Sequence, residues 1–496
     1  MLPRINELFA GRTIFITGGS GFLGKVLVEK ILYSVPDVKK IYVIIRSSRG
    51  AAPRERWEKI TQTILFARLR RDFPDALHKV HVVEGDLMEE SLGMNQHDVQ
   101  QICEEVSIVF HCAATVKFDE KLREAVNMNV RGTTRLVSLC HKMSKLAVLV
   151  HCSTAYANCD RQRTDEMVYP APINPQKLLE AIDWMDDSML ESITPKLLGK
   201  RPNTYTLTKA LAESQLMEDA RGLPVIIFRP SIVTAMWKDQ LPGWIDNVNG
   251  PTGLLSAVGK GVLTNMCGDG NSVADLIPVD VVSNMMIASA AYRMTLSGKE
   301  IPVVHCTSGQ LNPLKWDFVI THLEQMYHNH PMEQSFGVVS THFHTSRLLF
   351  EINHRLKHEM PAKMLDYAGM LVGKKAIYSR LYSKVFNFDI RQLDWGNYLF
   401  DYVMGVKKYI MKDEIADKQK IQHAKANLNK QQRIRFVTRV IVCYLFAKLG
   451  ARYKLKNHKW SIFLVSFFAS QFYTALEYRP VLRLKSLDEY LKTQKA

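Results

Sequence analysis

The chain has 496 residues, of which 47% are hydrophobic and 23% charged. That is the balance of a globular protein too long for one ordinary core, and it excludes a disordered or a fibrous chain. The formal net charge of +16 is unevenly spread, and with no base-reading module beside it no nucleic acid is expected.

Residues 12–17 read as a first strand, which leaves little room for a secretory signal before it. A helix is predicted over 21–33. Further strands are predicted over 40–46, 78–84, 107–112, 147–152 and 225–228, with amphipathic helical stretches between them. Strands alternating with helices imply an α/β, Rossmann-type, doubly wound parallel sheet. After residue 300 the pattern turns helical, over 313–327, 345–367, 368–384 and 392–411. The expected division is a dinucleotide-binding reductase domain over 1–335, a helical C-terminal domain over 345–450, and an apolar tail helix over 460–478. The eight cysteines lack metal-type spacing. They suggest reduced thiols, a body facing the cytosol and no metal site.

Gly18, Gly21 and Gly24 lie in Thr17-Gly-Gly-Ser-Gly-Phe-Leu-Gly24, between the first strand and the first helix. In that context Gly18 permits the tight turn, Gly21 lets backbone approach a pyrophosphate, and Gly24 allows close packing of helix on sheet. Ser20, Phe22 and Leu23 complete the bed, with the helix N-terminus facing the phosphates. The second strand ends at Arg46-Ser-Ser-Arg49 without an acid. Arginine suits a 2′-phosphate, so NADPH is expected rather than NADH, with Arg46 the main source. Asp86 and Leu87 after the third strand are assigned to the adenine end. Ala113 and Ala114 after the fourth are small enough for the cofactor to lie against backbone. His111 and Cys112 read as packed core.

Tyr205 and Lys209 are four residues apart in a helical stretch, hence on one face. An ammonium beside a phenol stabilises the phenolate, so the phenol becomes a usable proton donor. The fifth strand runs out at Ser153-Thr154, on the ligand side of an open sheet. Thr154 is assigned to the substrate oxygen, with Ser153 the fallback. Lys209 also reaches the nicotinamide ribose, and the segment with Pro230 and Ile232 closes over the nicotinamide end. Cys152 has no evident activating partner, so thioester chemistry on a cysteine is not expected.

Residues 415–459 hold 12 Lys/Arg against one acid, 12 − 1 = +11 of the net charge. The uncharged run 460–476 follows, at the short limit for a membrane span. A shorter apolar patch over 440–447 reads as interfacial. Membrane lipids are therefore an expected partner of the tail.

Together these residues resemble the extended short-chain dehydrogenase/reductases. Ser153-Thr-Ala-Tyr-Ala-Asn158, Arg201-Pro-Asn-Thr-Tyr205, Arg229-Pro-Ser-Ile-Val233, Pro242-Gly-Trp-Ile-Asp-Asn247 and Phe386-Asn-Phe-Asp-Ile-Arg-Gln-Leu393 are similar to the alcohol-forming fatty acyl-CoA reductases. Thr234 departs from the glycine usual there. The resemblance implies reduction of long-chain acyl-CoA to fatty alcohol and free CoA with two NADPH, through an aldehyde. It also implies a membrane-anchored enzyme of the peroxisome or, second, the endoplasmic reticulum. A hydroxysteroid or nucleotide-sugar enzyme of the same fold is the alternative, as is a catalytically silent NADPH-binding membrane protein.

Overall fold

The computed structural model describes residues 4–47, 50–298, 300–345, 395–452 and 486–493. Seven parallel strands form the main sheet: β1 (Thr13–Thr17), β2 (Lys40–Ile45), β3 (Val80–Glu84), β4 (Val106–His111), β5 (Val148–Cys152), β6 (Val225–Pro230) and β7 (Val303–Cys306). Their order across the sheet is β3-β2-β1-β4-β5-β6-β7. The chain reverses direction of travel between β1 and β4, which creates the crevice where this fold takes its ligands. β1, β4, β5 and β6 are buried along their whole length, as strands covered on both faces must be.

The predicted strands appear within about two residues of their expected bounds. β7 was not singled out from sequence; it pairs with β6 through Val303 opposite Ile227. The helix that follows β1, Phe22–Ser34, buries Val26, Leu27, Val28, Ile31 and Leu32. Each such side chain contributes about 1.5–3 kcal/mol when fully buried. The helix ends at Val35 before Pro36, which lacks the N–H needed to continue it.

Packing divides the described residues into two units, each assembled from separate stretches of chain. Among the described residues, one unit comprises those up to Leu241 and Asp275–Asn312; the other takes Pro242–Ala274 and the described residues from Pro313 onward. The reason lies in pairings the sequence does not announce. In the second unit Asn265–Cys267 pairs in parallel with His342–His344. Ala274 donates its N–H to the Leu314 carbonyl at 2.6 Å. A Cβ on Gly405 would overlap the Gly243 carbonyl, and one on Gly243 would overlap the Asp401 carbonyl.

The helix predicted over 313–327 is observed as Trp316–Asn329, and that over 392–411 as Trp395–Gly405 with a π-turn at Val406–Ile410. The patch over 440–447 lies on a long helix, Lys418–Arg452. Among the described residues no helix is long and apolar enough to cross a membrane. The helices expected over 345–367 and 368–384 and the tail run 460–476 lie outside the described residues, as does Arg49.

Candidate active site

The carboxyl ends of the strands gather nearly all the expected site residues in the first unit. Gly18 follows β1, Arg46 follows β2, Asp86 lies two residues past β3, Ala113 and Ala114 follow β4, Ser153 and Thr154 follow β5, and Ile232 lies just past β6, which ends at Pro230.

Each glycine of the turn has its own reason. Gly18 has φ +72°, and a Cβ there would sit 2.7 Å from the Ala113 nitrogen. A Cβ on Gly24 would overlap the Gly18 carbonyl and Gly19. These two positions are closed by the fold itself. Gly21 differs, for its Cβ would meet only the Gly18 oxygen, at 3.1 Å. Packing does not require glycine there, whereas a phosphate approaching the backbone does. Gly21 is the N-cap of Phe22–Ser34 and offers no side chain to the first-turn N–H groups. The cradle thus fits a dinucleotide pyrophosphate. Ser20, Phe22 and Leu23 are half-buried beside it.

Arg46 is exposed, with its guanidinium 3.6 Å from the Asp86 carboxylate. Arg56 donates to the Arg46 carbonyl, bringing a second cation to the end of β2. Asp86 also accepts the Met88 N–H at 3.0 Å. The Leu87 side chain belongs to the core, so any part it takes in binding falls to its backbone.

His111 is core, as expected. Its Nδ1 pairs with the Thr17 hydroxyl at 2.7 Å and its Nε2 with the Thr133 hydroxyl at 3.1 Å. Burial lowers its pKa to about 3, so it is neutral in the working range.

Tyr205 and Lys209 lie on the helix Thr204–Asp219, started by Asn203, whose side chain accepts the Thr206 N–H at 3.0 Å. Tyr205 is half-buried, its ring 5.7 Å from that of Phe118, and its hydroxyl lies beside that of Thr154, which itself accepts the Tyr156 N–H at 3.3 Å and donates to the Pro230 carbonyl at 3.5 Å. Burial raises its pKa above the ordinary phenol value, and the contact with Thr154 opposes the rise. The phenol therefore keeps its proton at neutral pH, the form a proton donor must have. Lys209 is 4% exposed and donates from Nζ to the Cys152 carbonyl at 2.8 Å. Burial lowers its pKa. The spacing led to an expected lowering of the Tyr205 pKa by Lys209; burial of the phenol instead sets the direction of the shift, upward.

Ser153, the fallback hydroxyl, is committed elsewhere. It donates to the buried Glu213 carboxylate, which Arg229 grips at 2.9 and 2.7 Å. Thr154 is left as the hydroxyl beside Tyr205. The Cys152 thiol is pushed up to about 11 by burial, which removes it as a nucleophile near neutral pH.

A family model described as "Male sterility protein", of NAD-binding type, matches residues 16–286. Fatty acyl-CoA reductase 1 of Xenopus laevis is 40% identical over 499 residues, covering 93% of this chain and 96% of that protein. The chain belongs to the fatty acyl-CoA reductase family. Fatty acyl-CoA reductase 2 of Bos taurus is 35% identical, over 94% of this chain and 97% of its own. Among solved structures, the terminal R domain of the myxalamid biosynthetic pathway aligns with TM-score 0.53 at 19% identity, over 82% of this chain and 93% of its own. The R domain of a non-ribosomal peptide synthetase from Mycobacterium tuberculosis gives 0.54 at 19%, over 82% and 92%. These two likenesses are of fold.

Two parts of the reductase site were not found from sequence. Asn129 sits in the π-turn Asn127–Arg131, the kind of helical irregularity that often marks a functional position. It accepts the Thr115 N–H at 2.9 Å and donates to the Thr208 hydroxyl at 3.0 Å. It thereby ties the loop after β4 to the residue before Lys209. The other part is the Glu213–Arg229 pair, both partners 1% exposed. Breaking such a pair typically costs about 3–5 kcal/mol. Thr234 donates its hydroxyl to the Ile277 carbonyl at 3.0 Å, so it serves the pairing of Ile232–Thr234 with Leu276–Pro278.

Proposed function

We propose that the protein reduces a long-chain fatty acyl-CoA to the fatty alcohol and free CoA, using two NADPH. Membership of the fatty acyl-CoA reductases supports the substrate class. The observation that carries the chemistry is the convergence of Thr154, Tyr205 and Lys209 at the end of β5. When bound, the nicotinamide supplies a hydride to the carbonyl carbon in each of two stages. Tyr205 gives its proton to the carbonyl oxygen as negative charge develops there. The Thr154 hydroxyl hydrogen-bonds the same oxygen, and the Lys209 ammonium stabilises the phenolate left behind. In the first stage the protonated product is a hemithioacetal; as it collapses to aldehyde its hydroxyl returns a proton to the Tyr205 phenolate, and the departing CoA thiolate takes a proton from water. In the second stage the same residues protonate the alkoxide. Purified protein given NADPH and acyl-CoA should release free CoA and alcohol. Release of neither defeats the reading.

The preference for NADPH rests on Arg46, with Arg56 behind it, and on the lack of an acid in the last residues of β2. Arg46→Ala is expected to weaken NADPH binding by about 10–100-fold, the worth of a charge-assisted contact. NADH binding should change little. Fluorescence titration with both cofactors checks this, and equal losses for the two would remove the assignment.

The membrane reading rests on the sequence after residue 415. In it the catalytic body faces the cytosol and the tail from Trp460 holds it to the peroxisomal membrane or, second, the endoplasmic reticulum. A chain ending at Lys454 is expected in the soluble fraction, and the full-length chain in the carbonate-resistant pellet. A truncated protein that stays in the pellet places the anchor elsewhere; a full-length protein released by salt alone makes the tail interfacial.

A further inference from the structure

Three consecutive residues at the end of β5 each engage one member of a single helical stripe. Tyr205, Lys209 and Glu213 are spaced four apart on Thr204–Asp219, which places them on one face. Thr154 meets Tyr205, the Cys152 carbonyl accepts from Lys209 at 2.8 Å, and the Ser153 hydroxyl donates to Glu213. The strand end that carries the reacting hydroxyl is thus pinned to the helix at three successive points. Glu213 is the inner pin.

Glu213 is itself held from behind. Arg229 forks onto it through Nε and Nη2, at 2.9 and 2.7 Å. The same guanidinium reaches the carbonyl oxygens of Asp165 at 3.2 Å and Met167 at 2.8 Å, and Nε2 of His305 at 3.1 Å. Apolar side chains of similar volume would commonly fill such a place at no loss of stability. The pair's value therefore lies in what it holds in place.

Its charge has a second consequence. The titratable groups that act on Lys209 or feel its charge are Cys152, Cys112, Glu213, His111 and His151, and Tyr205 lies one turn before it on the same helix face. Burial keeps both histidines, both thiols and the phenol neutral. Burial lowers the Lys209 pKa; Cys152, Cys112 and then Glu213, one turn on along the same helix face and gripped as a carboxylate by Arg229, act the other way.

We propose that Glu213 is a positioning residue for the reduction, fixing the Thr154 strand end through Ser153 and holding Lys209 in its charged form. The proposal rests on the reading of Tyr205 and Lys209 as the reacting pair.

The test is the pH dependence of kcat for acyl-CoA reduction by detergent-solubilised full-length protein. Glu213→Gln keeps the shape and removes the charge. Its kcat is expected to fall by at least about 10-fold, since small misplacements at a reacting centre cost that much or more. Its alkaline limb is expected to move to lower pH by about one unit, as loss of a nearby anion lowers a lysine pKa. Glu213→Asp should restore the position of the limb. Ser153→Ala leaves the ion pair whole; its kcat should fall several-fold with the limb unmoved. A Glu213→Gln protein with the wild-type limb overturns the proposal, because a merely structural role predicts that result. Should Glu213→Gln fail to fold, Ser153→Ala and Glu213→Asp decide: wild-type kcat in the first, or a displaced limb in the second, overturns it. A wild-type protein without turnover defeats the parent reading and this one with it, whereas a defect confined to the variants' pH profiles bears on Glu213 alone.

Discussion

Tyr205→Phe is expected to bind NADPH as the wild type does and to lose turnover by about 10²–10⁴-fold, the usual worth of a positioned proton donor. The substitution removes one oxygen and keeps the ring packed against Phe118. The fold should be unaffected, because the helix is capped by Asn203 and fixed along its length by buried residues. The loss should appear in kcat, since the hydroxyl acts where charge develops on the substrate oxygen. Cofactor titration with steady-state assay of alcohol formation separates the two. Near-normal alcohol formation would remove Tyr205 from the chemistry.

Lys209→Met is expected to cost about 10²–10³-fold in kcat, comparable to the loss of one preorganised donor at a charged transition state. Methionine retains an unbranched apolar stem, so the buried site stays filled. It cannot replace the ammonium or its bond to the Cys152 carbonyl. Burial raises the Tyr205 pKa, so the phenolate formed on proton transfer depends on a nearby cation. Because the two residues act as a unit, the double variant should be little worse than Tyr205→Phe alone. Measured kcat values for the two single variants and the double variant check this. Fully multiplicative losses would show that Lys209 acts independently of the phenol.

The glycine turn and the Tyr205/Lys209 pair were legible because each depends on short-range geometry. Gly18, Gly21 and Gly24 recur every three residues within one strand-to-helix turn, and about four residues make one helical turn. The strand alternation gave the sheet for the same reason. Ser153 and Glu213 are 60 residues apart, and Glu213 meets Arg229 across the sheet; no local pattern records that pairing. Asn129 was missed because a π-turn has no distinct periodicity. The make-up of the second unit was not legible because strands of three residues, Asn265–Cys267 and His342–His344, are too short to read from alternation. The Tyr205 pKa was misjudged because burial is a property of the fold, whereas the Lys209 charge is visible in the sequence.

The most direct measurement is the stoichiometry of a single reaction. Detergent-solubilised full-length protein is given NADPH and a long-chain acyl-CoA, and NADPH consumed, free CoA released and fatty alcohol formed are followed together. The account predicts two NADPH oxidised for each CoA released and each alcohol formed, with Tyr205→Phe inactive in the same assay. Consumption of NADPH without release of CoA would contradict it, as would an aldehyde that accumulates as the final product.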